Sequence, residues 1–202
     1  MKTMTNMMIT ALIASTLFIR ETKAQGTVSG DFKAAPVATT INWRATKVTG
    51  EHSGAVKLKS GVFHIKEGKL KAGSFEIDMK TIENTDMQPG EYKTKLENHL
   101  KSDDFFSVEK HPVAKLDITK AEFVKDKNYS ITGKLTIKGI TNDVTFPATV
   151  EVSDAKLDAT CDITIDRTKW DIRYGSGKFF EGLGDKMIHD KFTMQVKVGA
   201  VK

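Results

Sequence analysis

One cysteine, Cys161, and four prolines are all that 202 residues contain of either. A single thiol excludes an intramolecular disulfide and any metal site built on clustered cysteines. So few prolines leave long stretches free to pair their backbone amides. Arginine is scarce as well, being confined to Arg20, Arg44, Arg167 and Arg173. The basic residues are therefore nearly all lysines, spread along the chain with no cluster among aromatics, and this pattern argues against a nucleic-acid partner. Past the first residues, no apolar run is long enough to span a bilayer.

The start of the chain is different. Lys2 precedes an apolar run from Met7 to Ile19, and Thr22-Lys23-Ala24 leads into Gln25. That order reads as a secretory signal peptide cleaved near Ala24, its apolar run shorter than the roughly 17–25 residues of a spanning helix. The expected organisation is a signal peptide over 1–24 and one domain over 25–202, periplasmic or secreted. Losing Lys2, Arg20, Glu21 and Lys23 lowers the formal charge from +5 to +3. Such a mild excess leaves open a transient contact with an anionic membrane surface, and a homodimer is left open too.

From about residue 39 the dominant period is two. Its plainest instance is Leu157-Ala159-Cys161-Ile163-Ile165, with Asp158, Thr160, Asp162 and Thr164 between them. Tyr129 to Ile137, Val144 to Val152, and Phe192 to Val198 repeat it, and shorter stretches around Trp43, Val56, Phe63, Phe75 and Ala114 carry it less regularly. Each is a strand with one dry and one wet face. Ser60-Gly61 and the phase change between Ile118 and Phe123 mark bulges or turns. About eight such strands joined by short polar links make an antiparallel meander, which folds into two packed sheets or closes into a barrel. An eight-stranded barrel is either filled by side chains or hollow enough for one ligand.

Two segments break the period. Pro89 to Lys101 places Tyr92, Leu96 and Leu100 four apart, which predicts a short helix lying on the barrel by that stripe. Arg167 to Asp185 is a long loop holding Trp170, Tyr174, Phe179, Phe180 and four glycines. No motif for chemistry survives inspection. Gly175-Ser176-Gly177-Lys178 lacks the earlier glycine and the following hydroxyl of a phosphate loop. The five histidines show no metal-binding spacing, and no cofactor is expected. Asp103 and Asp104 resemble paired acids, but neighbouring aspartates after a helix more often solvate its exit. Cys161 falls on a dry face, where a thiol is usually inert. The rings Phe105, Phe106, Trp170, Tyr174, Phe179 and Phe180 remain. They either seal a filled core or line the mouth of an apolar cavity, and the residues alone leave both open.

His99-Leu100-Lys101-Ser102-Asp103-Asp104-Phe105-Phe106-Ser107-Val108-Glu109-Lys110-His111-Pro112 resembles the characteristic segment of the YceI-like family of exported polyisoprenoid-binding proteins. Gly133 to Thr141, Ile165 to Trp170, and Gly184-Asp185 are similar to its later motifs, in order. The resemblance covers about residues 37 to 198. It implies an all-β fold, an eight-stranded antiparallel lipocalin-like barrel with one short helix between strands. It further implies an elongated cavity for a polyisoprenoid or fatty amphiphile and no catalytic activity. The family commonly carries an Arg-Asp pair where this chain has Leu96-Glu97, an aspartate at Ser107 and a tyrosine at His111. The candidate cavity residues are Trp43, Phe75, Ile77, Leu116, Ile118, Ile131, Leu135, Phe146, Val150, Leu157, Ile163 and Met194, with Phe105, Phe106 and Trp170 near one end. The rival readings are an envelope interaction or stress protein with a filled core, and a small hydrolase or isomerase working at the mouth.

Overall fold

The computed structural model describes residues 28–202, so the expected signal peptide and its cleavage point lie outside the described residues. Eight strands follow one another: β1 (Gly30–Lys47), β2 (Gly50–Lys66), β3 (Lys69–Asn84), β4 (Val113–Lys125), β5 (Asn128–Ile137), β6 (Ile140–Val152), β7 (Lys156–Asp166) and β8 (Ile188–Val201). Helix α1 (Glu91–Lys101) lies between β3 and β4. Each strand pairs antiparallel with the next, and β8 returns to β1 to close a barrel. This is the closed form of the meander, in which every strand has a partner on both sides.

Bulges stand where the alternation slips. One interrupts the pairing of β2 with β3 between Leu58 and Ser60, and another that of β4 with β5 between Ile118 and Lys120. Gly61, beside the first, has no room for a side chain, because a Cβ there would stand 2.4 Å from Phe75 Cδ1. Gly54 is tighter still, since its Cβ would fall 1.9 Å from the Glu83 carbonyl and 2.5 Å from the Trp43 ring.

Closure is uneven. β5 and β6 pair along their full length, from Ile137 opposite Ile140 to Asn128 opposite Thr149. β6 and β7 pair only from Val152 opposite Leu157 to Ala148 opposite Cys161. Beyond that rung the two strands separate, and the next residue of β6 is Pro147. The Val150 amide donates towards the β5 side, to the Lys127 carbonyl at 2.8 Å. Backbone direction alternates along a strand, so Pro147 presents its nitrogen to β7, where it has no N–H to give. The ladder stops where its donor is missing.

The barrel has a plain end and a capped end. At the plain end, tight turns follow β2, β4 and β6, and Phe32, Ile65, Tyr129, Leu157 and Ala200 fill the interior. At the capped end lie α1, the segment 102–112 and the long loop between β7 and β8. Helix α1 corrects the expected stripe: Leu96 and Leu100 are half-buried, but Tyr92 is 79% exposed and no helix residue is fully buried. Only the later turns reach the barrel, held against the end of β3. There the Asn84 amide donates to Glu97 Oε1 at 2.9 Å, while the fully buried Asn84 side chain donates to the Ser53 carbonyl at 3.0 Å. Glu97 thus anchors the helix.

Candidate functional site

Inside the barrel runs an apolar cavity of about 170 Å³. A single water needs about 10–15 Å³ on this measure, so the space takes on the order of a dozen methylene-sized groups. All eight strands contribute to its wall, together with Phe106. Its wall carries few polar atoms: the Thr160 hydroxyl, the Cys161 thiol, the Met79 and Met194 thioethers and the Trp43 indole N–H. The Trp43 indole N–H is already engaged, donating to the Glu83 carbonyl at 3.2 Å, so its ring offers the cavity an apolar face. Phe63 and Phe75 meet edge to face at 4.8 Å within the same wall.

Twelve of the fifteen candidate residues lie on this wall: Trp43, Phe75, Ile77, Phe106, Leu116, Ile118, Ile131, Leu135, Phe146, Val150, Ile163 and Met194. Three do not. Leu157 is buried among the residues that fill the plain end. Trp170 is 1% exposed and sits at the other end, its indole N–H donating to the Leu135 carbonyl at 3.0 Å. Phe105 turns away from its neighbour Phe106, packing 4.9 Å from the His99 ring and 5.5 Å from Tyr174. The two phenylalanines therefore divide the alternatives between them: Phe105 seals and Phe106 faces the hollow. Phe179 and Phe180 do neither, being 40% and 49% exposed.

The different roles of the two rings have a measurable consequence. Phe105→Ala is expected to cost roughly 3–5 kcal/mol of stability, the range for a buried ring lost from a core. Phe106→Ala opens the cavity further and is expected to change uptake of an apolar fluorescent probe by more than its stability loss accounts for. Urea unfolding of both variants, beside titration with that probe, separates the two effects.

The capped end is tied together by polar contacts. Lys138 Nζ, from the turn between β5 and β6, donates to the Asp103 carbonyl at 2.9 Å and the Asp171 carbonyl at 3.2 Å. His99 joins the helix to both neighbouring segments through Phe105 and through Tyr174, whose ring lies 4.5 Å away. The strongest tie is Arg167, which is 4% exposed. Its guanidinium donates to four carbonyls: Ile172 at 2.9 Å, Tyr174 at 2.8 Å, Ile188 at 3.0 Å and His189 at 3.2 Å. It also stands 3.5 Å from Asp190 Oδ1. One side chain thus clamps the outgoing and returning arms of the long loop. Burial lowers the Arg167 pKa, with Asp190 and Asp166 opposing that shift.

The groups considered for chemistry are dispersed. Asp104 pairs with His99 at 2.9 Å, whereas Asp103 accepts from Lys110 Nζ at 2.6 Å and from Ser107. Those hydrogen bonds from Lys110 and Ser107 hold the Asp103 carboxyl below its ordinary range. The two carboxylates thus serve separate local contacts. His52 and His64 likewise pair with Asp86 and Asp31, and among the described residues no three His, Cys, Asp or Glu side chains converge as metal ligands. Ser176 is fully buried, and its carbonyl accepts from the Phe179 and Phe180 amides, so Gly175-Ser176-Gly177-Lys178 is a turn.

Cys161 does reach the cavity wall, and burial pushes its thiol up to about 12. At pH 8 about one molecule in ten thousand then carries the thiolate, the reactive form. Native protein is expected to resist iodoacetamide at that pH and to be alkylated within minutes once unfolded in urea. Mass spectrometry of the labelled chain reads the difference.

A closed eight-stranded antiparallel barrel, its interior apolar and its one irregular end covered by a helix and a loop, defines a lipocalin-like protein. The YceI-like domain family matches residues 19–200, and the chain belongs to that family. A UPF0312 protein of Pseudomonas putida F1 is 33% identical over 96 residues, which are 48% of this chain and 47% of that protein. A UPF0312 protein of Azotobacter vinelandii is 30% identical over 88 residues, 44% of this chain and 43% of its own. These matches span about half the length of such curated relatives. Among solved structures, BcnA of Burkholderia cenocepacia superposes with a TM-score of 0.64 at 18% identity, covering 83% of this chain and 99% of that one. A polyisoprenoid-binding domain from Saccharophagus degradans, implicated in plant cell wall breakdown, gives the same score at 13% identity, covering 84% and 97%. At such identities the likeness is one of fold.

Proposed function

We propose that this protein binds and carries a long-chain isoprenoid or similar amphiphilic lipid in the envelope, without catalysing a reaction on it. The observation that carries this reading is the cavity itself: a continuous hollow walled by apolar side chains from every strand. A filled core, the rival, would leave no such space. Each methylene buried there contributes roughly 0.8 kcal/mol, so a chain of a dozen groups binds through its length alone. The name of the Saccharophagus domain points the same way. Export fits the N-terminal pattern of a charged start, an apolar run and small residues before Gln25.

The test is extraction of the protein purified from its native envelope, followed by mass spectrometry of the extract. The expected result is one lipid species at near-stoichiometric amount. An extract free of lipid, from protein that also fails to take up an added prenyl chain, overturns the carrier reading.

A further inference from the structure

The long loop between β7 and β8 treats its apolar residues in two ways. Trp170 and Ile172 are each 1% exposed, drawn into the barrel end. Phe179 and Phe180, a few residues on, stand adjacent in water at 40% and 49% exposure, with Tyr174 at 45%. The exposure does not come from an unstructured tip. The Ser176 amide donates to the Arg173 carbonyl at 2.9 Å, and the Ser176 carbonyl accepts from the amides of Phe179 at 3.1 Å and Phe180 at 3.0 Å. Beneath this double turn lie the fully buried Ser176 and the Arg167 clamp. The fold therefore holds two adjacent rings outward on a rigid base.

Cations surround them. The Arg173 guanidinium lies 4.8 Å from the Phe179 ring centre and the Lys178 ammonium 5.8 Å from it. Arg173 also pairs with Asp171 at 2.5 Å, while Glu181 and Asp185 follow the rings, so the local charge is close to balanced and the rings must supply most of the attraction. Exposed apolar rings with cationic heads packed against them suit a bilayer interface, where the rings reach the acyl chains and the cations stay at the level of the headgroups. The loop belongs to the capped end, where Phe106 lines the cavity and α1 packs against the end of β3.

We infer that Phe179 and Phe180, flanked by Arg173 and Lys178, dock the protein on the surface of an anionic phospholipid bilayer with its capped end facing the membrane. The orientation places the irregular, non-barrel end of the cavity next to the bilayer. Docking is a property of this surface and does not depend on what the cavity holds.

Flotation of the mature protein with phosphatidylcholine vesicles, and with vesicles in which phosphatidylglycerol replaces part of the phosphatidylcholine, tests this. The anionic vesicles are expected to bind the protein and the neutral ones to bind it more weakly, with the difference removed by salt. Phe179→Ser with Phe180→Ser is expected to cut binding about tenfold or more at an unchanged melting temperature, since both rings are exposed. Arg173→Gln with Lys178→Gln is expected to cut the anionic preference alone. Binding that survives loss of both rings overturns the inference, as does absence of binding to either vesicle, or rings that capture a protein partner and no vesicle. Lipid extraction reports separately: protein that carries lipid but ignores vesicles keeps the carrier reading and loses this one, and the converse result does the opposite.

Discussion

Replacing Arg167 by methionine is expected to destabilise the protein by roughly 3–5 kcal/mol, the cost of removing one partner from a buried charged cluster. The guanidinium is the shared donor for four carbonyls on the two arms of the long loop, and methionine offers none of them a hydrogen. Asp190 Oδ1, already buried without a hydrogen-bond partner, would also lose its nearest cation. Arg167→Lys should recover only a minor part, because one ammonium cannot span four acceptors with the geometry of a planar fork. Urea unfolding followed by the fluorescence of Trp170, which the same loop buries, measures both variants. Equal stability of Arg167→Met and the parent would show that the clamp is dispensable.

The second large effect concerns the cavity. Ala159 lies on its wall, opposite Val150 on β6 and Val198 on β8. Ala159→Trp is expected to place an indole in the hollow and to abolish retention of co-purified lipid. In a well-packed core, added bulk costs roughly 1–3 kcal/mol. Here the ring enters vacant space, so the melting temperature should hold or rise. Loss of lipid at full stability assigns the function to the hollow. A variant that unfolds instead shows that the space is already committed to packing.

Much of this was readable before the structure, and the limits are physical. Alternation fixed the inward residues because each strand has one wet face, so Ile131, Leu135, Phe146 and Ile163 could be placed on the wall from their neighbours alone. Pro147, inside the regular run from Val144 to Val152, carried a signal that alternation alone does not register: a proline tolerates pairing on one side only, and the β6–β7 ladder stops there. No such rule governs irregular backbone. Phe105 and Phe106 are adjacent, yet which of them faces the cavity depends on turns at Ser102 and Ser107 that have no period. Leu157 keeps the inward phase but lies too near the strand's beginning to reach the hollow. Tyr92 keeps the helical spacing, but its turn overhangs the barrel. Arg167 was hidden for a different reason: all four of its hydrogen-bond partners are backbone carbonyls, and side-chain identities do not advertise those.

The pairing of β1 with β8 bears on the order of assembly. Lys33 opposite Val201 and Lys47 opposite Ile188 make the first strand's closing neighbour the last strand of the barrel. Contacts of such sequence separation form late and slowly. The barrel cannot close until β8 has been made, and until then β1 keeps one edge without a partner.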